Sequence, residues 1–402
     1  LKLERMKKMA IYISKPAVMC AAGNSLEELW NSVIAKNQSG IKKVKACDDQ
    51  DFFVARIDDS LLPPSSARYD MRIMRIEEAA LNQIADDIET AKNRFGSDRI
   101  GICVGSCDNG TEFSVAGHKQ YFETNQFPQD YNLEIQGADY VSTYIAEKFD
   151  IKGPANTFST ACSSSAGATI KAAEMIMAGI VDAVIVGGID IASNTVLLGF
   201  NALEAVSPKI TNPFSKNRSG ITLGEAGVFY ILSKELINQN QKKVELLGWG
   251  ESADAYHMTS PDPSGDGAKK AMENTLKSAK ISINDVDYVN LHGTGTKFND
   301  SMEAKAVNAV FGDYKVPVST TKPITGHTLG AAASLELAIC YSAINNVELP
   351  VQIWDKQKDT EIPELNFVDE KTDFQKQTKI CLSNSFAFGG ANACLVIASS
   401  DR

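Results

Sequence analysis

The stretch PANTFSTACSSSAGATIKAAEMIMAG at residues 154–179 combines an extended segment, a turn of small residues and a long alanine-rich helical pattern. The stretch VPVSTTKPITGHTLGAAASLELAICY at residues 316–341 has the same three parts in the same order. A strand-like segment follows each stretch, GVFYILS at residues 227–233 and ACLVIAS at residues 393–399. This parallel predicts an internal duplication, with two similar halves that meet near residue 245.

The rest of the chain continues the alternation of short β-branched runs with longer helical patterns, which favours a layered α/β architecture. No low-complexity segment or long linker interrupts the sequence. We therefore expect two closely packed halves, residues 1–245 and 246–402, instead of separable domains. The 402 residues are 44% hydrophobic and 22% charged, which is enough for a large buried core.

The charge balance argues against several classes of partner. The chain has 40 basic and 50 acidic residues and a net charge of −10, a poor electrostatic match for nucleic acid or anionic lipid. The most apolar stretch, at residues 181–200, contains Asp182 and Asp190. We therefore predict that the chain has no membrane span.

The cysteines and the N-terminal residues indicate the cellular compartment in which the protein is expected. The eight cysteines are scattered, without paired spacing, and most lie in apolar stretches, as expected for free thiols in a reducing environment. Near the start of the chain, Lys15 and Pro16 interrupt an apolar run before it reaches the length of a signal peptide. We expect a cytoplasmic protein.

Cys162 is the first candidate for chemistry. It lies in STACSSSAGA, directly before a helical pattern, so it should sit at a helix N-terminus. The helix dipole there favours a thiolate, and we expect the thiol pKa to lie below its usual value of about 8.5. For an isolated cysteine, the alternative of a small buried hydrophobic residue would be more common.

Two of the four histidines strengthen the functional interpretation. His292 lies in VDYVNLHGTGT, where an apolar strand runs into a loop of glycine and threonine. His327 lies in KPITGHTLGAAAS, at the start of the second alanine-rich helix. Because both occupy the end of a strand or the start of a helix, where catalytic groups are often presented, we interpret the pair as functional.

Four motifs in this order resemble the β-ketoacyl-acyl carrier protein synthases of the thiolase superfamily. They are TACSSSA, VNLHGTGT, TKPITGHTLGAA and SNSFAFGGANA. The similarity extends over nearly the whole chain, including NPFSKNRSG and GWGESADAYHMTSPDPSG. The resemblance implies a five-layered αβαβα fold built from two duplicated halves. It also implies the elongating class with a Cys-His-His triad, because the initiating class has asparagine in place of the second histidine.

The resemblance assigns roles to residues at matching positions. Cys162 matches the nucleophile, His292 and His327 the two catalytic histidines, and Lys322 and Glu303 the supporting lysine and glutamate. Thr294 and Thr296 match the threonines that contact the pantetheine arm. The further candidates for substrate contact are Phe386, Phe388, Asp108 and Ile221. The backbone N–H groups of Cys162 and Phe388 would form the oxyanion hole, and Phe388 would also gate the site.

The implied reaction is a decarboxylative Claisen condensation of acyl-cysteine with malonyl-acyl carrier protein, in fatty acid or related polyene or polyketide biosynthesis. Substrates would arrive on the phosphopantetheine arm of the carrier. Since no metal-binding spacing, phosphate loop or dinucleotide fingerprint occurs in the sequence, we expect no bound metal and no tightly bound cofactor. The family normally forms homodimers, and a heterodimer with a related subunit is the alternative.

Three arginines are candidates for docking the acidic carrier. Arg68, Arg72 and Arg75 recur at spacings of four and three, which predicts one face of a helix. An ordinary solvated face is the alternative interpretation.

Two segments depart from the family pattern. GSCDNGT replaces the usual Gly-Ser-Gly and following apolar residue, which places Asp108 at the end of the acyl pocket. Because a buried, unpaired carboxylate is costly, we hypothesise an aromatic or polyene acyl group with a polar end, or else a loop that turns Asp108 to solvent. NPFSKNRSGITLGEAG also differs near the cavity, and synthases of the aryl-polyene type are similar to this sequence in that loop.

Three other functions compete with a synthase. The first is a non-catalytic partner subunit of the chain-length-factor type, which the presence of all three triad residues argues against. The second is a degradative thiolase, which lacks the Cys-His-His pattern and has a second active cysteine. The third is a non-enzymatic structural protein, which would have no need for these motifs in this order.

Overall fold

The computed structural model describes residues 9–346, 348–372 and 377–401. Its strands are β1 (Tyr12–Ile13), β2 (Ala17–Cys20), β3 (Ile41–Lys45), β4 (Asp51–Ala55), β5 (Ile100–Gly105), β6 (Ala155–Phe158), β7 (Ala183–Asp190), β8 (Leu223–Gly224), β9 (Ala226–Ser233), β10 (Val244–Ala253), β11 (Tyr288–Asn290), β12 (Val318–Ser319), β13 (Ile380–Phe386) and β14 (Ala391–Ser399). Its α-helices are α1 (Leu26–Ile34), α2 (Arg72–Asn82), α3 (Ala85–Phe95), α4 (Thr111–Thr124), α5 (Tyr140–Phe149), α6 (Ser164–Met177), α7 (Asn194–Ala202), α8 (Asp266–Ala279), α9 (Lys297–Phe311), α10 (Lys322–Thr325) and α11 (Ala332–Asn345).

Eleven of the strands form one mixed sheet with the same pattern on both sides of β1. Its order is β12-β11-β13-β14-β10-β1-β9-β7-β5-β6, and β2 also pairs with β9. In one half, β5 runs parallel to β6 and β7, and β7 pairs antiparallel with β9. In the other half, β11 runs parallel to β12 and β13, and β13 pairs antiparallel with β14. The structure therefore repeats one topology, as the duplicated sequence predicts.

Helices α6 and α11 form the layer between the two halves of the sheet. Helix α6 packs on β5 and β7, α11 packs on β13 and β14, and the two helices contact each other. Nearly every side chain of α11 is buried, which is typical of a helix that is apolar on all sides. The many alanines of both helices allow this close packing at the centre of the molecule.

The predicted boundary between residues 245 and 246 falls inside β10, which pairs with β14 and with β1. The two halves are thus joined by continuous sheet, and the boundary stays a prediction. In the described part of the chain, no helix is both long and apolar enough to cross a bilayer.

Candidate active site

Two equivalent turns bring the candidate catalytic residues together. The 3₁₀ turn Ala161–Ser163 leads into α6, and the 3₁₀ turn Leu329–Ala331 leads into α11. Ala161 and Leu329 each begin their turn with a left-handed φ, of 50° and 53° respectively. This conformation costs a non-glycine residue about 1–2 kcal/mol, and such strain is concentrated at functional sites.

Cys162 lies in the first turn, buried at 5% exposure. Its Sγ lies 3.0 Å from Nε2 of His327. Burial raises the pKa of the Cys162 thiol to about 11, although the amides of Phe388 and Cys162 and the charge of Lys322 oppose this shift. The prediction of a lowered thiol pKa is therefore wrong, because the loss of hydration outweighs the favourable groups around the sulfur. A neutral thiol needs a base, and His327 is within reach.

The two histidines are buried and uncharged. Their ring centroids lie 5.2 Å apart in an edge-on arrangement with an interplanar angle of 87°. Burial lowers the pKa of His292 and of His327 well below the usual value, and the nearby Lys322 charge lowers both further. Each ring can therefore donate one hydrogen bond without carrying a charge.

Lys322 is buried directly behind His292, at 1% exposure. Its ammonium donates hydrogen bonds to the His292 carbonyl oxygen and to the Glu336 carboxylate. Sequence reasoning missed Glu336, although a glutamate inside the apolar helix α11 was a usable signal, since a buried charge needs a partner. The lysine is thus buried and held in place by both partners.

Glu303 fixes the loop that carries His292. Its carboxylate oxygens accept hydrogen bonds from the amides of His292 and Gly293, each at 2.8 Å, and from Nδ2 of Asn384 at 3.1 Å. Burial raises the pKa of Glu303 to about 7, while these donors stabilise its charged form. Glu303 lies behind the loop, so its contacts position His292 through the backbone.

Two family models match the sequence over most of the chain. Residues 11–236 match the family model "Beta-ketoacyl synthase, N-terminal domain", and residues 244–353 match "Beta-ketoacyl synthase, C-terminal domain". The chain belongs to the beta-ketoacyl synthase family. The resemblance drawn from the four sequence motifs is therefore confirmed.

Individual relatives resemble this synthase along its whole length. A "3-oxoacyl-[acyl-carrier-protein] synthase 2" of Coxiella burnetii is 32% identical, covering 98% of this chain and 99% of that protein. The protein of the same name from Vibrio harveyi is 31% identical, covering 97% and 99%.

Solved structures confirm the thiolase-like fold. A chain from the ketosynthase in complex with its chain length factor from Xenorhabdus doucetiae is 34% identical, with a TM-score of 0.89 over 99% of this chain and 100% of that one. A chain of the ishigamide ketosynthase/chain length factor is 25% identical, with a TM-score of 0.87 over 98% and 100%. The synthase is thus an acyltransferase of the condensing type.

A cavity of about 400 Å³ leads to the triad of the synthase. Eight of the residues predicted for the site line it: Cys162, Ile221, His292, Thr294, Thr296, His327, Phe386 and the partly exposed Phe388. The Phe388 ring stacks on Phe200, with centroids 5.7 Å apart. Phe200 could not be predicted from the sequence, because it contacts Phe388 only in the folded chain.

Asp108 is placed differently from the other substrate-contact candidates. It is buried, but it is not among the residues that line the cavity. Its Oδ1 accepts hydrogen bonds from the amides of Gly110 and Thr111 at the start of α4, and from the Tyr140 hydroxyl at 2.8 Å. The carboxylate is thus paired inside the protein, so it needs neither a polar substrate nor solvent. Its role in substrate choice stays a prediction.

Asp190 is a buried group that the sequence interpretation did not select. Its carboxylate accepts hydrogen bonds from the Gly330 amide at 2.6 Å and from the Cys107 amide at 3.0 Å. Gly330 occupies the second turn at the place that Cys162 occupies in the first. Burial and the nearby Asp108 raise the pKa of Asp190 to about 8. Asp190 therefore ties the turn that follows His327 to the loop behind the nucleophile.

The three candidate docking arginines do not share one helix face. Helix α2 begins at Arg72, so the prediction is wrong for Arg68, which lies in the preceding turn. Arg72 is mostly buried and binds the Glu225 carboxylate inside the protein. Arg68 and Arg75 are paired with Glu134 and Asp70 respectively. A docking role stays a prediction, and only Arg68 and Arg75 have side chains near the surface.

Proposed function

We propose that this synthase condenses an acyl group held on Cys162 with a malonyl thioester, releasing carbon dioxide and a 3-ketoacyl thioester. The observation that carries the proposal is the 3.0 Å contact between Cys162 Sγ and His327 Nε2 at the inner end of the cavity, with His292 beside it. A thiol, a base and a second neutral imidazole are the groups that this reaction needs.

In the first step, Cys162 takes the acyl group. The thiol proton moves to Nε2 of His327 as Sγ attacks the thioester carbonyl, and the departing carrier thiolate then receives this proton. Burial raises the pKa of the Cys162 thiol, and the backbone amides of Phe388 and Cys162 act against this shift. We infer that these two amides stabilise the oxyanion that forms on the attacked carbonyl.

In the second step, a malonyl thioester loses carbon dioxide. The electron pair of the broken bond forms an enolate, whose oxygen accepts one hydrogen bond from His292 and one from His327 in the tautomer that carries its proton on Nε2. The carbanion then attacks the acyl carbonyl on Cys162, a carbon–carbon bond forms, and the sulfur leaves as a thiolate that takes up a proton from solvent. Both imidazoles are held neutral by burial and by Lys322, which leaves the excess negative charge on the substrate.

We infer that both substrates arrive on the phosphopantetheine arm of an acyl carrier protein. Thr294 and Thr296 line the cavity, and their hydroxyl oxygens lie 3.0 Å apart. These hydroxyls are suited to the amides of a pantetheine arm. Exposed apolar side chains near the cavity, including Leu203 and Phe298, offer a surface on which a carrier could rest.

We also infer that the synthase works as a dimer in the cytoplasm. Strand β6 is the outer strand of the sheet, its first residues Ala155 and Asn156 are exposed, and Phe122 of α4 is 83% exposed. An open strand edge is ready for pairing with another chain. A homodimer is the simplest assembly, and a related subunit is the alternative. Eight free cysteines fit a reducing compartment.

The proposal is tested by product analysis with acyl-carrier and malonyl-carrier thioesters. Wild-type protein should form 3-ketoacyl-carrier and carbon dioxide in equal amounts, Cys162→Ala should form no ketoacyl product, and Cys47→Ser should match the wild type because Cys47 is exposed. Wild-type protein that forms no product with any acyl donor would favour a non-catalytic partner subunit of the chain-length-factor type.

A further inference from the structure

We propose that Cys162, His292 and His327 also form a binding site for one soft divalent cation, Zn²⁺ foremost, and that the bound ion reversibly blocks acylation. One ligand atom from each residue lies within 4.8 Å of the other two, and all three residues are buried. This inference goes beyond condensation. That the three residues bind a cation is independent of the proposed function, whereas the block of acylation by the bound ion rests on it.

The donor set fits zinc. Zn²⁺ prefers thiolate sulfur at about 2.3 Å and imidazole nitrogen at about 2.0–2.1 Å in tetrahedral geometry, which places neighbouring ligand atoms roughly 3.5 Å apart. The sulfur and Nε2 of His327 are 3.0 Å apart, so this pair needs little movement. The fourth position would face the cavity, where water or a thioester oxygen could occupy it.

Within the described part of the chain, neither ring is fixed by a hydrogen bond at its Nδ1 atom. The Nδ1 atoms of His292 and His327 are buried and have no hydrogen-bond partner among the described residues. The protein therefore does not hold either ring through an outer hydrogen bond of the kind that usually orients a metal-bound histidine. Each ring can tilt towards a common ion without breaking a hydrogen bond at that nitrogen.

The charges around the site select the type of ion. Lys322 carries a positive charge next to His292, but the Glu336 carboxylate pairs with it. No carboxylate belongs to the cluster, and Mg²⁺ and Ca²⁺ prefer oxygen ligands. A site of one sulfur and two nitrogens therefore favours Zn²⁺ or Co²⁺ over these hard ions.

Metal binding and acylation use the same atom. When the ion binds, Cys162 releases its thiol proton to solvent and Sγ donates an electron pair to the metal, so the sulfur can no longer attack a thioester. An acyl group on Sγ would in turn exclude the ion. Zinc and acyl donor should therefore compete.

Cobalt provides a direct test, because a cobalt–thiolate bond has a characteristic charge-transfer absorption. Metal-free wild-type protein titrated with Co²⁺ should bind one equivalent with this absorption, and Zn²⁺ should displace it while Mg²⁺ should not. Cys162→Ala should weaken Co²⁺ binding by more than about 100-fold. Losing a residue that only hydrogen-bonds to a metal ligand costs up to about 100-fold in affinity, and losing a ligand itself should cost more. Cys47→Ser, which removes an exposed thiol, should bind as the wild type does.

A second measurement removes the risk that Cys162→Ala alters the fold. Wild-type protein alkylated with iodoacetamide at Cys162 should show no cobalt absorption. Protein acylated at Cys162 should likewise show no cobalt absorption and should not bind Zn²⁺. Absorption that persists in either Cys162-blocked sample would mean an adventitious ion only and would overturn the proposal, as would its absence from the wild type. Condensation measured with a chelator present tests the proposed function separately.

Discussion

The Lys322 ammonium and the Glu336 carboxylate form an ion pair that is almost completely removed from solvent, with side-chain exposures of 1% and 4%. The same ammonium donates to the carbonyl oxygen of His292. The pair therefore connects the central helix α11 to the catalytic loop. Burying two charges is costly unless both stay paired, so the removal of one partner should have a large effect.

The first prediction concerns this pair. Glu336→Gln should lower the free energy of unfolding by about 3–5 kcal/mol, because it leaves a buried ammonium without its counter-charge. The double variant Lys322→Met/Glu336→Leu should regain much of this stability in urea unfolding, since neither charge remains. Its condensation rate should stay low, because the His292 carbonyl has lost its donor. A double variant with the wild-type rate would show that the pair is structural only.

The second prediction separates the two histidines. His327→Asn should slow both the acylation of Cys162 and the later condensation, because His327 is the ring in contact with the sulfur. His292→Asn should leave acylation close to the wild-type rate and slow condensation by about 10²–10³, the usual effect of removing one oxyanion donor. Rapid-quench measurement of each step distinguishes them. Equal effects of both variants on acylation would contradict the assigned roles.

The third prediction uses the buried Asp190. Its folded-state pKa of about 8 lies above an unfolded value of about 3.9, so the folded state binds the proton more tightly. The resulting stability is fully present below the unfolded pKa and is lost as pH rises through the folded pKa. The asparagine in Asp190→Asn cannot ionise, so this variant does not lose stability in this way as the pH rises.

The measurement is urea unfolding of wild type and Asp190→Asn between pH 5 and pH 9. The stability of the wild type relative to the variant should fall by roughly 4 kcal/mol as pH rises across this interval. The altered hydrogen bonds of the variant add the same difference in unfolding free energy at every pH, so they do not change how that difference varies with pH. A constant or rising difference would mean that Asp190 is already ionised in the fold at pH 5.

The fourth prediction concerns Glu303. In Glu303→Gln, one carboxylate oxygen becomes an NH₂ group that faces a backbone amide donor, of either His292 or Gly293. An unpaired buried donor costs about 1–3 kcal/mol of unfolding free energy, and the displaced His292 loop should slow condensation. The exposed Glu361→Gln serves as the matched control. A Glu303→Gln variant with unchanged stability and rate would remove the positioning role.

The cluster of Cys162, His292 and His327 could be predicted from sequence because each residue lies in a continuous motif at the end of a strand or the start of a helix. The turn that carries Cys162 and the turn that follows His327 are local, and their resemblance to each other also revealed the duplicated fold. The rise of the thiol pKa could not be predicted in the same way, because burial by distant segments sets it.

The residues that sequence reasoning missed or misplaced have partners far away in the chain. Asp190 binds the amide of Gly330, 140 residues later. Arg72 appeared to belong to a solvated helix face, but it pairs with Glu225, 153 residues away. A single sequence shows periodicity along one helix but not which distant carboxylate will reach it, so these contacts needed the fold.

Intact-mass analysis of the wild type and Cys162→Ala bears most directly on the covalent role of Cys162. Each protein is exposed to acyl-carrier thioesters, and malonyl-carrier is added afterwards. We predict that the wild type alone gains the mass of one acyl group and returns to its starting mass when malonyl-carrier is added. An acyl group that also attaches to Cys162→Ala, or one that malonyl-carrier never discharges, would contradict condensation through Cys162.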